Sequence, residues 1–135
     1  MKDCLFCRII EREISSEIIA EDERTLTVLD VHPRAEGHAL VLPKRHVYAI
    51  LDLSDEEVGE VFRAVKRTTA LLKEKLHPDG FTIGINHGET AGQAIEHLHV
   101  HVIPRWADDG GGSLHSVVNN PPAATPEQVA KKIRS

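Results

Sequence analysis

Three histidines alternate with apolar residues late in the chain: His97, His99 and His101. Successive side chains of a β-strand point to opposite faces, so residues two apart share a face. On a strand predicted over residues 96–104, the residues between the histidines would fill a core: Leu98, Val100 and Val102. The apolar residues would anchor this strand, and the three imidazoles would face one shared space.

The spacing of the three rings limits what they can do together. Neighbouring histidines lie roughly 6.6 Å apart along a strand, and the outer pair roughly 13 Å apart. Because a zinc–nitrogen bond is only about 2.0–2.1 Å long, two neighbours can share one ion, whereas three around one ion would be strained. Three charged imidazoles side by side would also repel one another near neutral pH. We therefore expect the histidines to divide their roles, rather than to be partly exposed polar residues of an amphipathic strand.

Composition and charge narrow the class of protein. The chain has 135 residues, 41% of them hydrophobic and 27% charged, which is typical of one globular domain spanning residues 1–135. A net charge of −5 argues against a nucleic-acid polymer as partner, although it allows one small nucleotide. The sequence predicts no membrane-spanning segment, and charges stand where a signal peptide needs an apolar stretch, so we expect a cytoplasmic protein.

The order of predicted elements favours an α+β fold with a mostly antiparallel sheet. Ser54 followed by Glu57 forms a capping-box signal for a long amphipathic helix that ends near His77. Thr125 and Gln128 predict a short C-terminal helix in the same way, after a loop over residues 108–122. Apolar and β-rich runs predict five strands, over residues 17–22, 25–30, 38–43, 81–87 and 96–104.

Cys4 and Cys7 form a CxxC pair whose spacing alone fits zinc, redox chemistry or chance. Two thiolates cannot close a tetrahedral zinc site, so a metal role requires two further ligands. The redox alternative lacks the βαβ pattern that usually accompanies it. The residues by themselves leave these alternatives open.

The run His97-Leu98-His99-Val100-His101-Val102-Ile103 resembles the signature of the histidine triad (HIT) nucleotide hydrolases and transferases. The segments FCRII, LDVHPRAEGHALVLPKRH and INHGETAGQAIEHLHVHVIPR resemble this family too, and IPR is similar to its bacterial and archaeal branch. The resemblance implies a HIT-like fold, with a five-stranded sheet, one long helix and a short C-terminal helix. It also implies an N-terminal zinc knuckle or helix over residues 1–12, a loop-and-helix tail over residues 106–135, and a homodimer formed through the long helix and a sheet edge.

The same resemblance implies a role for each site residue. His99 would be the nucleophile that attacks the α-phosphorus of a nucleotide, giving a nucleotidyl-histidine intermediate that water or another acceptor resolves. His101 would contact the phosphate oxygens, Asn86 would position the phosphate or leaving group, and Gln93 would donate to phosphate. The remaining residues would bind the nucleoside, which we expect to be a purine (an AMP or GMP moiety): Asp30 at the ribose hydroxyls and Val31 at the base or sugar.

The resemblance also implies a structural Zn²⁺ held by four ligands: Cys4, Cys7, His46 and His97. A closed Cys₂His₂ site has no open position for a substrate. His97 would therefore tie the catalytic segment to the N-terminus while His99 carries out the chemistry.

Three alternative functions are compatible with these residues. The first is an enzyme acting on phosphoramidates, dinucleoside polyphosphates or acyl-adenylates. The second is a non-catalytic purine-nucleotide binding or interaction protein on the same fold, a reading favoured by Ala94, which stands where some family members carry a serine that assists the leaving group. The third is an unrelated metalloenzyme that uses the triad as a catalytic metal site.

Overall fold

The structure, a computed structural model, describes residues 3–135. Residues 1 and 2, which begin the predicted N-terminal segment, lie outside the described residues. Three helices and five strands follow one another along the chain: α1 (Leu5–Ile10), β1 (Ile18–Glu21), β2 (Thr25–Leu29), β3 (Ala39–Pro43), α2 (Asp55–Leu76), β4 (Gly80–Gly84), β5 (Val100–Arg105) and α3 (Pro126–Arg134).

The five strands form one sheet in the order β1-β2-β3-β5-β4, and every neighbouring pair is antiparallel. The first three strands are a meander, and β5 then inserts between β3 and β4. In this register His101 lies opposite Leu40 on β3 and opposite Gly84 on β4. The predicted α+β class with a five-stranded antiparallel sheet is confirmed.

The long helix α2 begins and ends where its sequence predicts. The Ser54 hydroxyl accepts from the backbone N–H of Glu57, and the Glu57 carboxylate accepts from the backbone N–H of Ser54, at 3.1 and 2.9 Å. His77 ends the helix in the left-handed conformation, with φ 55°. The apolar face of α2 is buried against the β3 and β5 side chains Val41, Val100 and Val102. Each fully buried valine or leucine contributes roughly 1.5–3 kcal/mol, so this layer is a main source of stability.

The opposite face of the sheet is covered differently. The short helix α1 packs Phe6 and Ile9 onto β2 and β3, in a second cluster that includes Leu26, Leu40 and Leu42. None of the buried members of this cluster comes from β4 or β5. The β4–β5 half of this face is therefore available to other groups, and the functional site lies there.

The prediction of a strand over residues 96–104 is wrong at its start, because β5 begins only at Val100. Continuation of the β3–β5 ladder would bring the chain opposite Pro43, which has no backbone N–H to donate. The Pro43 carbonyl instead accepts from the His97 ring at 2.8 Å, and the backbone N–H of Leu98 donates to Val47 beyond β3. His97 and His99 thus lie on an irregular segment that leads into the strand.

No helix within residues 3–135 is long and apolar enough to cross a membrane. The cytoplasmic location and the division of the chain into segments 1–12 and 106–135 stay predictions.

Candidate functional site

Burial alternates along the triad segment only from Leu98 onwards, and the three histidines do not share one open space. Leu98 and Val100 are buried on the core side. His97 is fully buried, whereas His99 and His101 are only partly buried. The expectation that all three rings face a common space is therefore corrected: His97 belongs to the interior, His101 lines a cleft, and His99 packs against His101.

His97 lies in a cluster with Cys4, Cys7 and His46, and the four ligand atoms are within 4.8 Å of one another. The His97 Nδ1 is 3.4 and 3.5 Å from the two sulfurs, and the His46 Nδ1 is 3.2 Å from the Cys7 sulfur. A tetrahedral zinc ion with ordinary bond lengths separates sulfur from nitrogen by about 3.6 Å. The Pro43 carbonyl can only accept, so Nε2 of His97 carries the ring proton and Nδ1 keeps a lone pair towards the sulfurs.

The protonation of this cluster also fits metal binding. Burial, with a smaller effect of the nearby His46 and His99, outweighs the hydrogen bond to Pro43 and lowers the pKa of His97 to about 4, so the ring is neutral at pH 7. Burial raises the pKa of the Cys7 thiol to about 11, with the contact to Cys4 adding to the rise. Metal binding here would therefore release protons from the thiols.

The hydrogen bond that His99 makes determines which of its ring nitrogens keeps a free lone pair. Nδ1 of His99 lies 2.7 Å from the backbone carbonyl of His97. A carbonyl oxygen only accepts, so Nδ1 donates its proton, and Nε2 keeps the lone pair. The ring packs edge-on against Phe6 and His101, with centroids 4.9 and 5.0 Å apart. The hydrogen bond thus orients His99 with Nε2 as the nitrogen available for nucleophilic attack.

His101 points into a cleft of about 850 Å³ beside β4 and β5. Its Nδ1 lies 2.9 Å from Nε2 of His38. Its other nitrogen, Nε2, is buried and has no hydrogen-bond partner among residues 3–135. Burial, together with unfavourable interaction with the nearby His99 and His38 were His101 to gain a proton, lowers the pKa of His101 to about 4. A buried polar atom without a partner is costly, so this nitrogen is suited to a ligand.

The cleft has the size of a small-molecule site, since such pockets usually measure about 300–1,000 Å³. Gly84 lies opposite His101, and a Cβ added there would meet nothing within 4 Å. A glycine at this point leaves the floor of the cleft open beside the imidazole. Around this floor the cleft is lined by the loop after β4 and by the tail, including Asn86, His87, Leu114 and Val117.

Of the other predicted site residues, Asn86 lines this cleft, whereas Asp30 lines an adjoining pocket with His38 that shares Arg34 with the cleft. Asn86 is exposed on the lining, and the exposed Val31 follows the partly buried Asp30. The Asp30 carboxylate accepts from the backbone N–H of His32 at 2.9 Å and keeps further lone pairs for a ligand.

Gln93 has different partners from those predicted. It is buried, and its side-chain NH₂ group donates to the backbone carbonyls of Tyr48 and Ile95 at 2.9 and 3.2 Å. Its side-chain oxygen accepts from the backbone N–H of Gly88. Because both N–H bonds are engaged, the amide holds the loop together in this structure and presents no free donor to phosphate.

Sequence reasoning gave no role to two histidines that lie at the site. His87 lines the cleft, because β4 ends at Gly84 and the strand predicted over residues 81–87 does not continue to its end. His38 contacts His101 directly, and Asp30 lies 3.5 Å from the same His38 nitrogen. A signal for His38 existed: it is a polar residue at the start of a buried strand, where a partner is required.

Comparisons with known proteins identify the relatives of this chain. The family model described as HIT domain matches residues 11–108. An uncharacterised HIT-like protein of Methanocaldococcus jannaschii is 44% identical over 107 residues, covering 79% of this chain and 82% of that protein. Adenosine 5'-monophosphoramidase of Schizosaccharomyces pombe is 34% identical over 108 residues, covering 80% of this chain and 78% of that enzyme.

Solved structures are similar over nearly the whole chain. A member of the HIT family from Bacillus subtilis has a TM-score of 0.86 at 34% identity, covering 98% of this chain and 95% of that one. A zinc-bound histidine triad family protein from Mycobacterium smegmatis has a TM-score of 0.76 at 33% identity, covering 93% and 87%. The unrelated-metalloenzyme alternative is therefore wrong, and this chain belongs to the HIT family.

Proposed function

We propose that this chain is a nucleotide-binding hydrolase or transferase that attacks the α-phosphorus of nucleoside phosphates through His99. One observation carries the proposal: the Nδ1–H of His99 donates to the His97 carbonyl, which leaves Nε2 as the nucleophile. In the first step a bond forms between Nε2 and phosphorus while the bond to the leaving group breaks. In the second step water or another acceptor displaces the imidazole and releases the nucleotide. Covalent catalysis of this kind replaces one difficult displacement by two easier ones.

The groups around the cleft support the binding of the transferred phosphate. His101 has a buried nitrogen without a partner, which is suited to a phosphate oxygen. Asn86, on the loop after β4, lines the cleft and would position the phosphate or leaving group. Positioned donors of this type supply most of the catalysis in phosphoryl and nucleotidyl transfer. Gln93 would act indirectly, by holding the loop from Gly88 to Ile95 in shape.

We propose that the nucleoside is a purine bound at the Asp30 end of the site. The carboxylate of Asp30 has free lone pairs for the ribose hydroxyls, and the exposed Val31 offers an apolar surface to the base or sugar. The printed name of the fission-yeast relative, an adenosine 5'-monophosphoramidase, supports an AMP moiety. Candidate substrates are phosphoramidates, dinucleoside polyphosphates and acyl-adenylates.

A structural zinc ion is the second part of the proposal. The residues fit this metal, because Cys4, Cys7, His46 and His97 offer two sulfurs and two nitrogens at tetrahedral spacing. When bound, zinc would cross-link the N-terminal segment to the triad segment without an open coordination position. The zinc-bound M. smegmatis neighbour supports this metal and the zinc-binding branch of the family.

We also propose a homodimer formed through α2 and the β4 edge. β4 is at one end of the strand order, so one row of its backbone groups has no strand partner within residues 3–135. Ile83 on β4 and Phe62 on α2 are 38% and 40% exposed, which is high for large apolar side chains. Light scattering on wild type and on Phe62→Lys tests this: the variant should shift towards monomer, and a monomeric wild type would contradict the proposal.

The test of the enzymatic function replaces His99 by Asn. Turnover of adenosine phosphoramidate and diadenosine polyphosphate should collapse, while AMP affinity and zinc content persist. His77→Asn is the matched control, because this helix-ending residue has a left-handed backbone that Asn tolerates, and it should keep full activity. Intact AMP binding without any turnover in wild type would instead favour the non-catalytic nucleotide-binding alternative, a reading that Ala94 also favours.

A further inference from the structure

The tautomer of His38 follows from its backbone neighbour. The backbone N–H of Arg34 donates to Nδ1 of His38 at 3.1 Å. Burial lowers the pKa of His38, so its ring is neutral at pH 7. A neutral imidazole has one N–H, and Nδ1 is already an acceptor, so the proton must lie on Nε2.

That proton has one close acceptor. Nε2 of His38 lies 2.9 Å from Nδ1 of His101, whereas the nearest Asp30 oxygen is 3.5 Å away. The N–H of His38 therefore donates to His101, and Nδ1 of His101 is an acceptor. The proton of a neutral His101 must then lie on Nε2, the buried nitrogen that has no partner among residues 3–135.

We propose that His38 is a positioning residue, which fixes His101 as the Nε2–H tautomer so that a neutral ring donates a hydrogen bond to the phosphate. This inference rests on the proposed function and goes beyond it. The opposite tautomer would turn a lone pair towards an anionic oxygen, which would repel it. Donors aimed at the charge that develops in the transition state contribute most when they are fixed before the substrate arrives.

A metal ion at the same place is the competing explanation. Ligand atoms of Asp30, His38 and His101 lie within 4.8 Å of one another. Nε2 of His38 would have to supply a lone pair to the ion, which would move its proton to Nδ1. The backbone N–H of Arg34 points at Nδ1, so two donors would then face each other. The observed hydrogen-bond chain therefore favours the tautomer explanation over an ion in this cluster.

Nuclear magnetic resonance determines the tautomer of His101 directly. Two-bond ¹H–¹⁵N correlation spectra of ¹⁵N-labelled protein at pH 7.5 distinguish the Nε2–H and Nδ1–H forms of each neutral histidine. We expect wild-type His101 to be the pure Nε2–H form. His38→Phe keeps a ring but removes the donor, and it should give a mixture of tautomers with a loss of kcat/KM on the order of 10²-fold. His38→Gln supplies an N–H in place of Nε2 and should recover most of both properties.

Several outcomes would overturn the inference. These are an Nδ1–H form of His101 in wild type, an unchanged His101 spectrum in His38→Phe, and a metal ion released when His38 is replaced. If His38→Phe does not fold, the wild-type spectrum and His38→Gln still decide. The spectrum needs no substrate, so absent turnover in wild type would count against the proposed function and not against the tautomer.

Discussion

Each triad histidine is set in its role by the atom that one ring nitrogen contacts. The Pro43 carbonyl accepts a hydrogen bond from the Nε2–H of His97, and the His97 carbonyl accepts one from the Nδ1–H of His99. Because carbonyls only accept, the free lone pair lies on Nδ1 in His97 and on Nε2 in His99. One side-chain type can therefore serve as a metal ligand and as a nucleophile two residues apart.

Gly84 gives a residue-scale prediction about the cleft. Gly84→Val should lower the affinity for AMP by at least about tenfold, because its side chain would occupy space beside His101 that is now open. Gly80→Val is the matched control, since Gly80 lies on the same face of β4 and also has open space at its Cβ. Calorimetric titration with AMP measures both variants. Equal affinities in the two variants would show that the ligand binds elsewhere.

At the scale of elements, local signals predicted more than long-range pairings did. The capping pair Ser54 and Glu57 fixed the start of α2, since both reciprocal hydrogen bonds are made within four residues. The start of β5 was mispredicted, because it depends on Pro43, more than 50 residues earlier in the chain. Alternation in the triad showed that Leu98, Val100 and Val102 face the core, but the tautomers of His97 and His101 depend on Pro43 and His38, which only the fold brings near.

The turn between β2 and β3 gives a prediction about stability. Gly37 has φ +82°, and an added Cβ would lie 2.4 Å from Leu76 at the end of α2. Gly37→Ala should lower the free energy of unfolding by about 2–4 kcal/mol, through backbone strain and steric overlap. Gly110→Ala is the matched control, because its φ is +78° and its Cβ would meet nothing. Urea unfolding measures both, and equal losses would contradict a role for the contact with Leu76.

The N-terminal helix gives a prediction about the metal. α1 has only six residues, and the Cys4 sulfur at its start accepts from the backbone N–H of Cys7. An isolated helix of this length is not stable, so zinc should contribute to its docking. At about 1,000-fold excess over its Kd, zinc stabilises the folded chain by about 4 kcal/mol, which is roughly 10–20 °C in Tm.

Differential scanning calorimetry with and without a chelator measures this shift. Zinc should restore the original Tm, whereas magnesium should not, and Cys7→Ser should melt at the same temperature with or without chelator. Two results together would contradict a structural zinc ion. Wild-type protein would contain no zinc after growth in zinc-supplemented medium, and its Tm would be the same with and without chelator.

On the scale of the whole molecule, the two faces of the sheet differ: the packing with α2 lies on one face, and the candidate functional site lies on the other. One face packs against α2 through β3 and β5, and the other carries α1 on one half and the cleft on the other. His38 and His101 are 63 residues apart and meet only because β3 and β5 pair in one register. Sequence patterns do not specify that register, which is why His38 received no role from the sequence.

Burial of histidines predicts how the stability of the folded chain depends on pH. An unfolded histidine binds its proton near pH 6.5, whereas the pKa of folded His101 is lowered to about 4. Between these values the unfolded state binds more protons, so the free energy of unfolding falls as the pH drops from about 6.5 to 4. The stability from this group is fully present above pH 6.5.

Replacing His101 by Asn should make that decline shallower, and urea unfolding at a series of pH values measures it. The metal cluster is unchanged in the variant, so its own pH dependence cancels in the comparison. Parallel curves for wild type and variant would contradict the lowered pKa.

Trapping the covalent intermediate on His99 tests most directly whether this residue is the nucleophile. The protein is mixed with adenosine phosphoramidate or diadenosine polyphosphate, quenched in alkali because the phosphorus–nitrogen bond is labile to acid, and mapped by peptide mass spectrometry. We expect an adenylyl group on His99 in wild type and none in His99→Asn. Turnover without any adduct, or an adduct on His101 or another residue, would contradict it.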